Sequence, residues 1–210
     1  MIKETLFLIV LVLLSCFNNS CGQRVITVMN PRCEYEINPL GLETDHPRLS
    51  WELASDLKNQ TQSAFRIIVA DNPETLTSDK GNVWDTKKIK SNESIQVEYQ
   101  GKQLEPNKKY YWKVKVWNQD SKESDWSETA SWQMGLLSRA DWGRAQWITM
   151  PELNIENYKG LKTADVQAKT RNLLPQFRKE FQSDKQVKYA TAYISGLGQF
   201  EMSLNGQKVG

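Results

Sequence analysis

The stretch 104–117 limits the folds open to this chain more than any other part of the sequence. It reads LEPNKKYYWKVKVW, with apolar side chains at every second position from Tyr110 to Val116 and charged Lys113 and Lys115 between them. Because successive side chains of a strand point to opposite faces, this alternation predicts a strand with one face in a core. One apolar and one polar face are typical of the sheets of an antiparallel β-sandwich.

The residues just before this strand add a second signal. Leu104, Pro106 and Tyr110 have the spacing Leu-x-Pro-x-x-x-Tyr. This spacing resembles the tyrosine corner of immunoglobulin-like and fibronectin type III domains, in which the tyrosine hydroxyl bonds to backbone upstream. Trp112 then falls on the apolar face, where its burial contributes up to about 5 kcal/mol before entropy is subtracted. We expect replacement of Trp112 by alanine to unfold the domain or nearly so.

Short strand patterns separated by turn signals recur over 26–137, and no sustained helical periodicity interrupts them. The alternation predicts further strands around Leu49, Trp51 and Leu53, over 64–70 with Phe65, Ile67 and Val69 on one face, from Ile95 and Val97 to Gly101, and in the closing stretches 126–128 and 132–135. We therefore predict an all-β chain whose residues 26–137 form a fibronectin type III or immunoglobulin-like β-sandwich.

The composition excludes several classes of function. The 27 Lys and Arg residues nearly balance the 25 Asp and Glu residues, and the net charge of +2 gives no field that would attract nucleic acid or an anionic membrane. One histidine, His46, and three cysteines without CxxC spacing do not make the usual zinc site or disulfide scaffold. We predict no metal, no cofactor and no nucleic-acid partner. Nothing brings Cys21 and Cys33 together, so we expect no disulfide between them.

The first residues predict export. Lys3 precedes an apolar run, 6–14, that is far shorter than the roughly 20 residues of a membrane-spanning helix. The run ends in LLSC at Cys16, which resembles a bacterial lipobox. We predict that 1–15 is a lipoprotein-type signal peptide, that Cys16 is acylated, and that 16–25 is a tether. The protein would then be periplasmic or at the outer membrane or cell surface, with the lipid as its only membrane contact. An ordinary cleaved signal peptide is the alternative.

Strand patterns return in the second half, at 177–181, 187–194 and 200–204. Asn205-Gly206 is a strong signal for a type I′ hairpin turn, which needs positive φ at both positions. Only 207–210 follow that turn, and so short a return strand leaves its sheet incomplete and its edge exposed. We expect the chain to be the front part of a longer protein.

Several stretches together resemble the N-terminal region of bacterial α-L-rhamnosidases of glycoside hydrolase family 78. In the first half they are CEY at 33–35, NPLG at 38–41, PRLSW at 47–51, VWDT at 83–86, YYWKV at 110–114 and SDWSE at 124–128. In the second half they are FRKEF at 177–181, AYISGLG at 192–198 and LNGQKVG at 204–210.

The resemblance implies an N-terminal fibronectin-like domain over 26–137 and a truncated jelly-roll domain, similar to galactose-binding modules, over 138–210. It also implies that terminal α-L-rhamnose is removed from a glycan by an (α/α)6 barrel further along the parent protein. An inverting enzyme of this kind needs two carboxyl groups about 6.5 to 9.5 Å apart. No position here matches the family's acidic motif, so we assign no catalytic residue and predict that this chain alone is inactive.

Two further groups of residues have to be considered as candidates for a functional site. The carboxylates of the turn-rich stretches are expected to be solvated and without the burial that an acid catalyst needs; they are Glu43, Asp45, Asp120, Glu123 and Asp125. Trp117 and Trp126 offer indole faces on which a sugar ring would stack, but packing against Lys and Arg stems is the more common use of such residues.

The leading interpretation is a non-catalytic rhamnosidase domain, and the alternative is a free-standing carbohydrate- or protein-binding module.

Overall fold

The computed structural model describes residues 26–149, 159–162, 165, 175–184, 186–187 and 189–209. The chain divides into two compact units, Met1–Ala145 and Gln146–Gly210. The predicted signal peptide, the acylated Cys16 and the tether 16–25 lie outside the described residues. Within the described part, no helix combines the length and the apolar character needed to cross a bilayer.

Almost all of the regular secondary structure described in the first unit is β-strand, which confirms the all-β prediction. They are β1 (Thr27–Cys33), β2 (Arg48–Ala54), β3 (Gln62–Ala70), β4 (Trp84–Asp85), β5 (Ile89–Lys90), β6 (Val97–Glu98), β7 (Lys109–Asn118) and β8 (Ala130–Gln133). A single helical turn, α1 (Pro73–Leu76), follows β3, and a short 3-10 helix covers Arg139–Trp142. The side chain of Asn72 caps α1 by accepting the Glu74 N–H at 2.8 Å.

The strands form two antiparallel sheets with an apolar core between them. One sheet has the order β1-β2-β6, and the larger, five-stranded sheet has the order β4-β3-β7-β8 with β5 also paired to β3. The core contains side chains of both sheets, among them Leu49 and Trp51 of β2 and Trp112 of β7. This is the immunoglobulin-like sandwich that the sequence predicts.

The predicted alternation of β7 is confirmed. Tyr110, Trp112, Val114 and Val116 are all buried in the core, and β7 pairs with β3 on one side and β8 on the other. The tyrosine corner is present as well, because the Glu105 N–H donates a hydrogen bond to the Tyr110 hydroxyl oxygen at 2.9 Å. The corner therefore fixes the chain at the entry to the central strand.

Strand β3 is buried on both faces. Its continuous apolar run is typical of a strand with two buried faces, whereas a strand with one buried face shows simple alternation. Phe65, Ile67 and Val69 enter the main core as predicted. Ile68 and Ala70, on the opposite face, form a second small apolar cluster with Leu76 of α1, against which Tyr111 and Trp126 pack. The larger sheet is thus covered on its outer side over part of its area.

Two strand predictions in the smaller sheet need correction. Leu53, predicted to share the buried face of Leu49 and Trp51, is 36% exposed, while Ser50 is buried. Leu53 lies next to the last residue of β2. The predicted strand from Ile95 is shorter than expected: β6 contains only Val97–Glu98, and the Ile95 side chain is exposed.

The predicted closing strand 126–128 does not form a regular strand. Ser127 donates its N–H to the Val114 carbonyl at 2.8 Å, and Ser124 does the same to Val116 at 2.9 Å. In return, the Val114 and Val116 N–H groups donate to the hydroxyls of Ser127 and Ser124, at 3.1 and 3.0 Å. Serine hydroxyls therefore replace backbone carbonyls as acceptors, and the segment follows β7 without a regular ladder.

The second unit contains the predicted hairpin, β9 (Met202–Leu204) and β10 (Gln207–Val209). Asn205 and Gly206 have φ values of +51° and +80°, as a type I′ turn requires. The strands predicted at 177–181 and 187–194 are wrong for the residues of these stretches that the structure describes. Large apolar side chains of these stretches are exposed, among them Phe181 at 76% and Tyr189 at 82%. Alternation in a sequence does not by itself provide a partner strand or a covering layer. The jelly-roll domain stays a prediction.

Replacing Tyr110 by phenylalanine tests the tyrosine corner. The ring still fills its place in the core, but the Glu105 N–H loses its acceptor, so we expect the free energy of unfolding to fall by about 1 to 2 kcal/mol. Urea unfolding followed by tryptophan fluorescence measures this loss. Tyr189→Phe, at an exposed tyrosine of the second unit, is the control. Equal midpoints for the two variants would contradict a stabilising corner.

Candidate functional site

Trp126, one of the two tryptophans predicted to contact sugar, lies on the outer face of the larger sheet among three cations. The centroid of its ring is 4.9 Å from Lys113 Nζ, 5.1 Å from Lys115 Nζ and 5.5 Å from Arg66 Cζ. Arg66 and Lys115 are direct cross-strand partners on β3 and β7, an arrangement in which like charges repel. The indole offsets this repulsion by cation–π attraction. We call Arg66, Lys113, Lys115 and Trp126 the outer-face cluster.

Each cation of the outer-face cluster also has a carboxylate partner. Arg66 binds Asp85 through two hydrogen bonds of 2.9 Å, from Nε and Nη2. Lys113 Nζ lies 2.7 Å from Asp79, and Lys115 Nζ lies 3.6 Å from Glu123. Three cations and three carboxylates thus lie side by side, so the outer-face cluster holds the segment of Trp126 on the sheet without a net excess of either charge.

These pairs keep two carboxyl groups ionised. Hydrogen bonds from the Arg66 guanidinium hold the pKa of Asp85 well below its usual range, against an opposing effect of burial. The Lys113 ammonium lowers the pKa of Asp79 in the same way. A general acid needs a pKa raised towards the working pH. The geometry of Asp79 and Asp85 therefore suits them to structural ion pairs.

Trp117, the other predicted sugar contact, occupies a different part of the outer face. It is half-buried, it pairs across the sheet with Ala64, and Lys88 Nζ lies 4.4 Å from the centroid of its ring. A cation over the ring covers indole surface on which a sugar would stack. Basic side chains lie over the rings of both Trp117 and Trp126, and sugar stacking on them stays a prediction.

The turn-region carboxylates are exposed, as expected: Glu43, Asp45, Asp120, Glu123 and Asp125. His46 is also exposed, and its Nδ1 lies 3.1 Å from the Tyr99 carbonyl, a hydrogen bond that raises the pKa of the imidazole. Cys33 is buried and free, and its burial raises the pKa of the thiol. Across the described residues, no three His, Cys, Asp or Glu side chains are grouped so that they would hold a metal ion.

Most of the distinctive motifs of the first unit hold the fold together. Glu34 of the CEY motif accepts hydrogen bonds from three donor groups of Arg48 in the PRLSW motif, at 2.6 Å from the N–H, 3.2 Å from Nε and 2.6 Å from Nη2. In the VWDT motif, Asp85 binds Arg66 and Thr86 Oγ1 accepts the Ile67 N–H at 2.9 Å. These motifs therefore join the turn after β1 to β2, and β3 to β4 and the residue that follows it.

One feature of the CEY motif was not foreseen from the sequence. Glu34 and Tyr35 have φ values of +49° and +66°, in the left-handed region that favours glycine or asparagine. The Tyr35 side chain is 50% exposed, and Arg48 Cζ lies 5.6 Å from the centroid of its ring. The sequence shows only a tyrosine two residues after a cysteine, which does not predict this backbone conformation.

Asp85→Asn tests the ion pair with Arg66. Because the pKa of Asp85 is lower in the folded chain than in the unfolded chain, the pair contributes its stability above about pH 4 and loses it as the pH falls through the folded pKa. At pH 7 we expect the free energy of unfolding to fall by about 2 kcal/mol. Urea unfolding measured from pH 7 down to acid pH gives the profile.

In the same series, Asp85→Asn is expected to lose less stability between neutral and acid pH than the unchanged chain does. Asp56→Asn, at an exposed carboxylate between β2 and β3, is the matched control and should follow the unchanged chain. Parallel profiles for Asp85→Asn and the unchanged chain would show that the Arg66 pair does not govern acid stability.

Comparison with known proteins places this architecture in a family. Residues 28–138 match the family model for the Rha78A-like, N-terminal immunoglobulin domain. An α-L-rhamnosidase of Formosa agariphila is 35% identical over 217 residues, which cover 99% of this chain and 23% of that protein. An α-L-rhamnosidase of Streptomyces avermitilis is 40% identical over 126 residues, which cover 60% of this chain and 12% of that protein. The chain thus spans less than a quarter of the length of the curated relatives it matches.

Solved structures agree with the sequence comparison. The crystal structure of the Streptomyces avermitilis α-L-rhamnosidase complexed with L-rhamnose has a TM-score of 0.58 and 39% identity, over 60% of this chain and 12% of that chain. The α-L-rhamnosidase from Dictyoglumus thermophilum has a TM-score of 0.58 and 38% identity, over 61% and 14%. The resemblance to the N-terminal region of α-L-rhamnosidases is confirmed. The chain therefore belongs to the Rha78A-like family, in which residues 28–138 are the N-terminal immunoglobulin domain.

Proposed function

We propose that this chain is the non-catalytic N-terminal portion of an exported α-L-rhamnosidase, in which the immunoglobulin domain supports the catalytic part. The observation that carries the proposal is the alignment of 99% of this chain with only 23% of an α-L-rhamnosidase at 35% identity. The substrate of the parent protein would be a glycan or glycoside with terminal α-L-rhamnose. The catalytic groups would lie in the portion that the alignment leaves uncovered.

The electrostatics of the described carboxylates support a structural role. The pKa values of Glu34, Asp71, Asp79 and Asp85 are all lowered, by hydrogen bonds from Arg48, Asn82, Lys113 and Arg66 respectively. Hydrolysis of a glycoside needs one carboxyl group that keeps its proton near neutral pH. These four carboxylates are arranged to lose their protons and to bind donors of the fold.

The location of the protein is part of the proposal. The signal peptide 1–15, acylation at Cys16 and the tether 16–25 would place the immunoglobulin domain close to a membrane surface, in the periplasm or on the cell exterior. Rhamnose-containing polymers outside the cytoplasm would then be within reach of the parent enzyme. The lipid would be its membrane contact.

An immunoblot of the source cells with an antibody against the first unit tests the proposal. The chain has a mass of 24.2 kDa and aligns with 23% of its relative, so we expect a species roughly four times heavier in the membrane fraction. We expect that species to leave the membrane fraction when Cys16 is replaced by alanine. Immunopurified material should hydrolyse an aryl α-L-rhamnoside, and the recombinant 210-residue chain should not.

Two results would contradict the proposal. Detection of only a species no heavier than 24.2 kDa would favour a free-standing binding module. Turnover of the aryl α-L-rhamnoside by the recombinant chain would show that catalytic groups lie within it. Asp85→Asn is the control for the second result. Because Asp85 is held in an ion pair with Arg66, this variant should have the same rhamnosidase activity as the unchanged chain.

A further inference from the structure

The turn that follows β1 holds two ordinary residues in a conformation that favours glycine. Cys33 and Glu36 exchange both backbone hydrogen bonds, each of 3.0 Å, so Glu34 and Tyr35 form a two-residue turn between them. Both residues have positive φ, +49° and +66°. Left-handed backbone is costly for an aromatic residue, and it persists only where surrounding contacts enforce it.

Side chains from three parts of the chain enforce this conformation. Arg48 binds the carboxylate of Glu34 through its N–H, Nε and Nη2 groups. Arg32 Nη1 donates to the Tyr35 carbonyl at 3.0 Å. Gln96 Nε2 donates to the Tyr35 hydroxyl, so the far end of the ring is fixed as well as its backbone. The ring is therefore held in one orientation before any ligand arrives.

The hydrophobic core does not account for this arrangement. Tyr35 belongs to neither apolar cluster of the first unit, and half of its side chain is exposed. A glycine at position 35 would complete the same turn without the unfavourable φ. Strain that is kept at an exposed position, and that fixes a side chain pointing to solvent, is typical of a binding surface.

We propose that Tyr35 is the platform of a saccharide-binding site, in which Arg48 lies over the ring, Gln96 holds the hydroxyl, and the sugar packs on the exposed half of the side chain. The C–H face of a pyranose packs on an aromatic ring, and the planar guanidinium and carboxamide groups offer donors and acceptors to neighbouring hydroxyls. A 6-deoxy sugar presents a methyl group in place of a hydroxymethyl group, which enlarges the apolar contact with the ring. Rhamnose is a sugar of this class.

The charge around Tyr35 favours a neutral ligand. The guanidinium of Arg48 is paired with Glu34, and across the sheet Arg48 faces Glu98. Positive and negative groups thus lie side by side, whereas sites for phosphate or sulfate present unpaired positive charge. A single ring also offers a small contact area, so we expect a dissociation constant in the millimolar range.

This inference rests on the proposed function for the choice of rhamnose as the sugar, and it gives the immunoglobulin domain a part in holding substrate. The two proposals fail separately. The size and activity of the native protein decide the proposed function, whereas binding to the 210-residue chain decides the saccharide site.

A nuclear magnetic resonance titration of the ¹⁵N-labelled chain with methyl α-L-rhamnopyranoside tests the site. We expect amide shifts confined to Tyr35 and its neighbours, together with a shift of the Gln96 side-chain amide, at millimolar sugar. Tyr35→Gly should keep the fold, because it removes the unfavourable φ, and should weaken binding at least about tenfold. Tyr35→Phe keeps the ring and should retain binding.

Trp117→Ala is the matched control, because it removes an aromatic side chain on the other sheet and should leave the shifts at Tyr35 unchanged. Three results would overturn the saccharide site: no shifts near Tyr35 at saturating sugar, shifts that persist in a folded Tyr35→Gly chain, or shifts centred on Trp117 and Trp126. The last result would assign sugar binding to the outer face of the larger sheet.

Discussion

The burial of β7 on both of its faces is the constraint on which the first unit depends. On the inner face, Trp112 fills the centre of the core between the two sheets. On the outer face, the ring of Trp126 packs over Lys113 and Lys115. On a solvent-exposed strand these two lysines would extend into water. The segment that contains Trp126 is held against β7 because Ser124 and Ser127 exchange hydrogen bonds with the backbone of the strand. Packing, charge and backbone bonding therefore act together along one strand.

The features that the sequence predicted correctly are those set by local chemistry. The period of two in β7, the tyrosine corner and the Asn205-Gly206 turn each depend on residues that are close together in the chain. The features that it missed depend on partners far away. Trp126 packs against Arg66, which is on β3. The Tyr35 hydroxyl accepts a hydrogen bond from Gln96, which is 61 residues away in the sequence. The strands predicted at 177–181 and 187–194 fail for the same reason, since alternation does not reveal whether a partner strand is present.

The motifs that carry the resemblance to α-L-rhamnosidases have two physical origins. Most of them are contacts that close the sandwich, such as Glu34 with Arg48 and Asp85 with Arg66. They identify the fold, and by themselves they say nothing of chemistry. Tyr35 differs, because its ring lies outside both apolar clusters of the first unit. We place the candidate saccharide contact at Tyr35 because half of its side chain is exposed, whereas the candidate tryptophans Trp117 and Trp126 are half-buried on the larger sheet.

The central claim is that the first unit is a cooperative sandwich organised by β7, and native-state hydrogen exchange tests it most directly. We predict that the Val114 and Val116 amides, which donate to serine hydroxyls, exchange only through global unfolding. Their opening free energy should then equal the free energy of unfolding measured in urea. The amides of the hairpin Met202–Val209 should exchange through openings of much lower free energy. Exchange of the Val114 and Val116 amides as fast as that of the hairpin would contradict the claim.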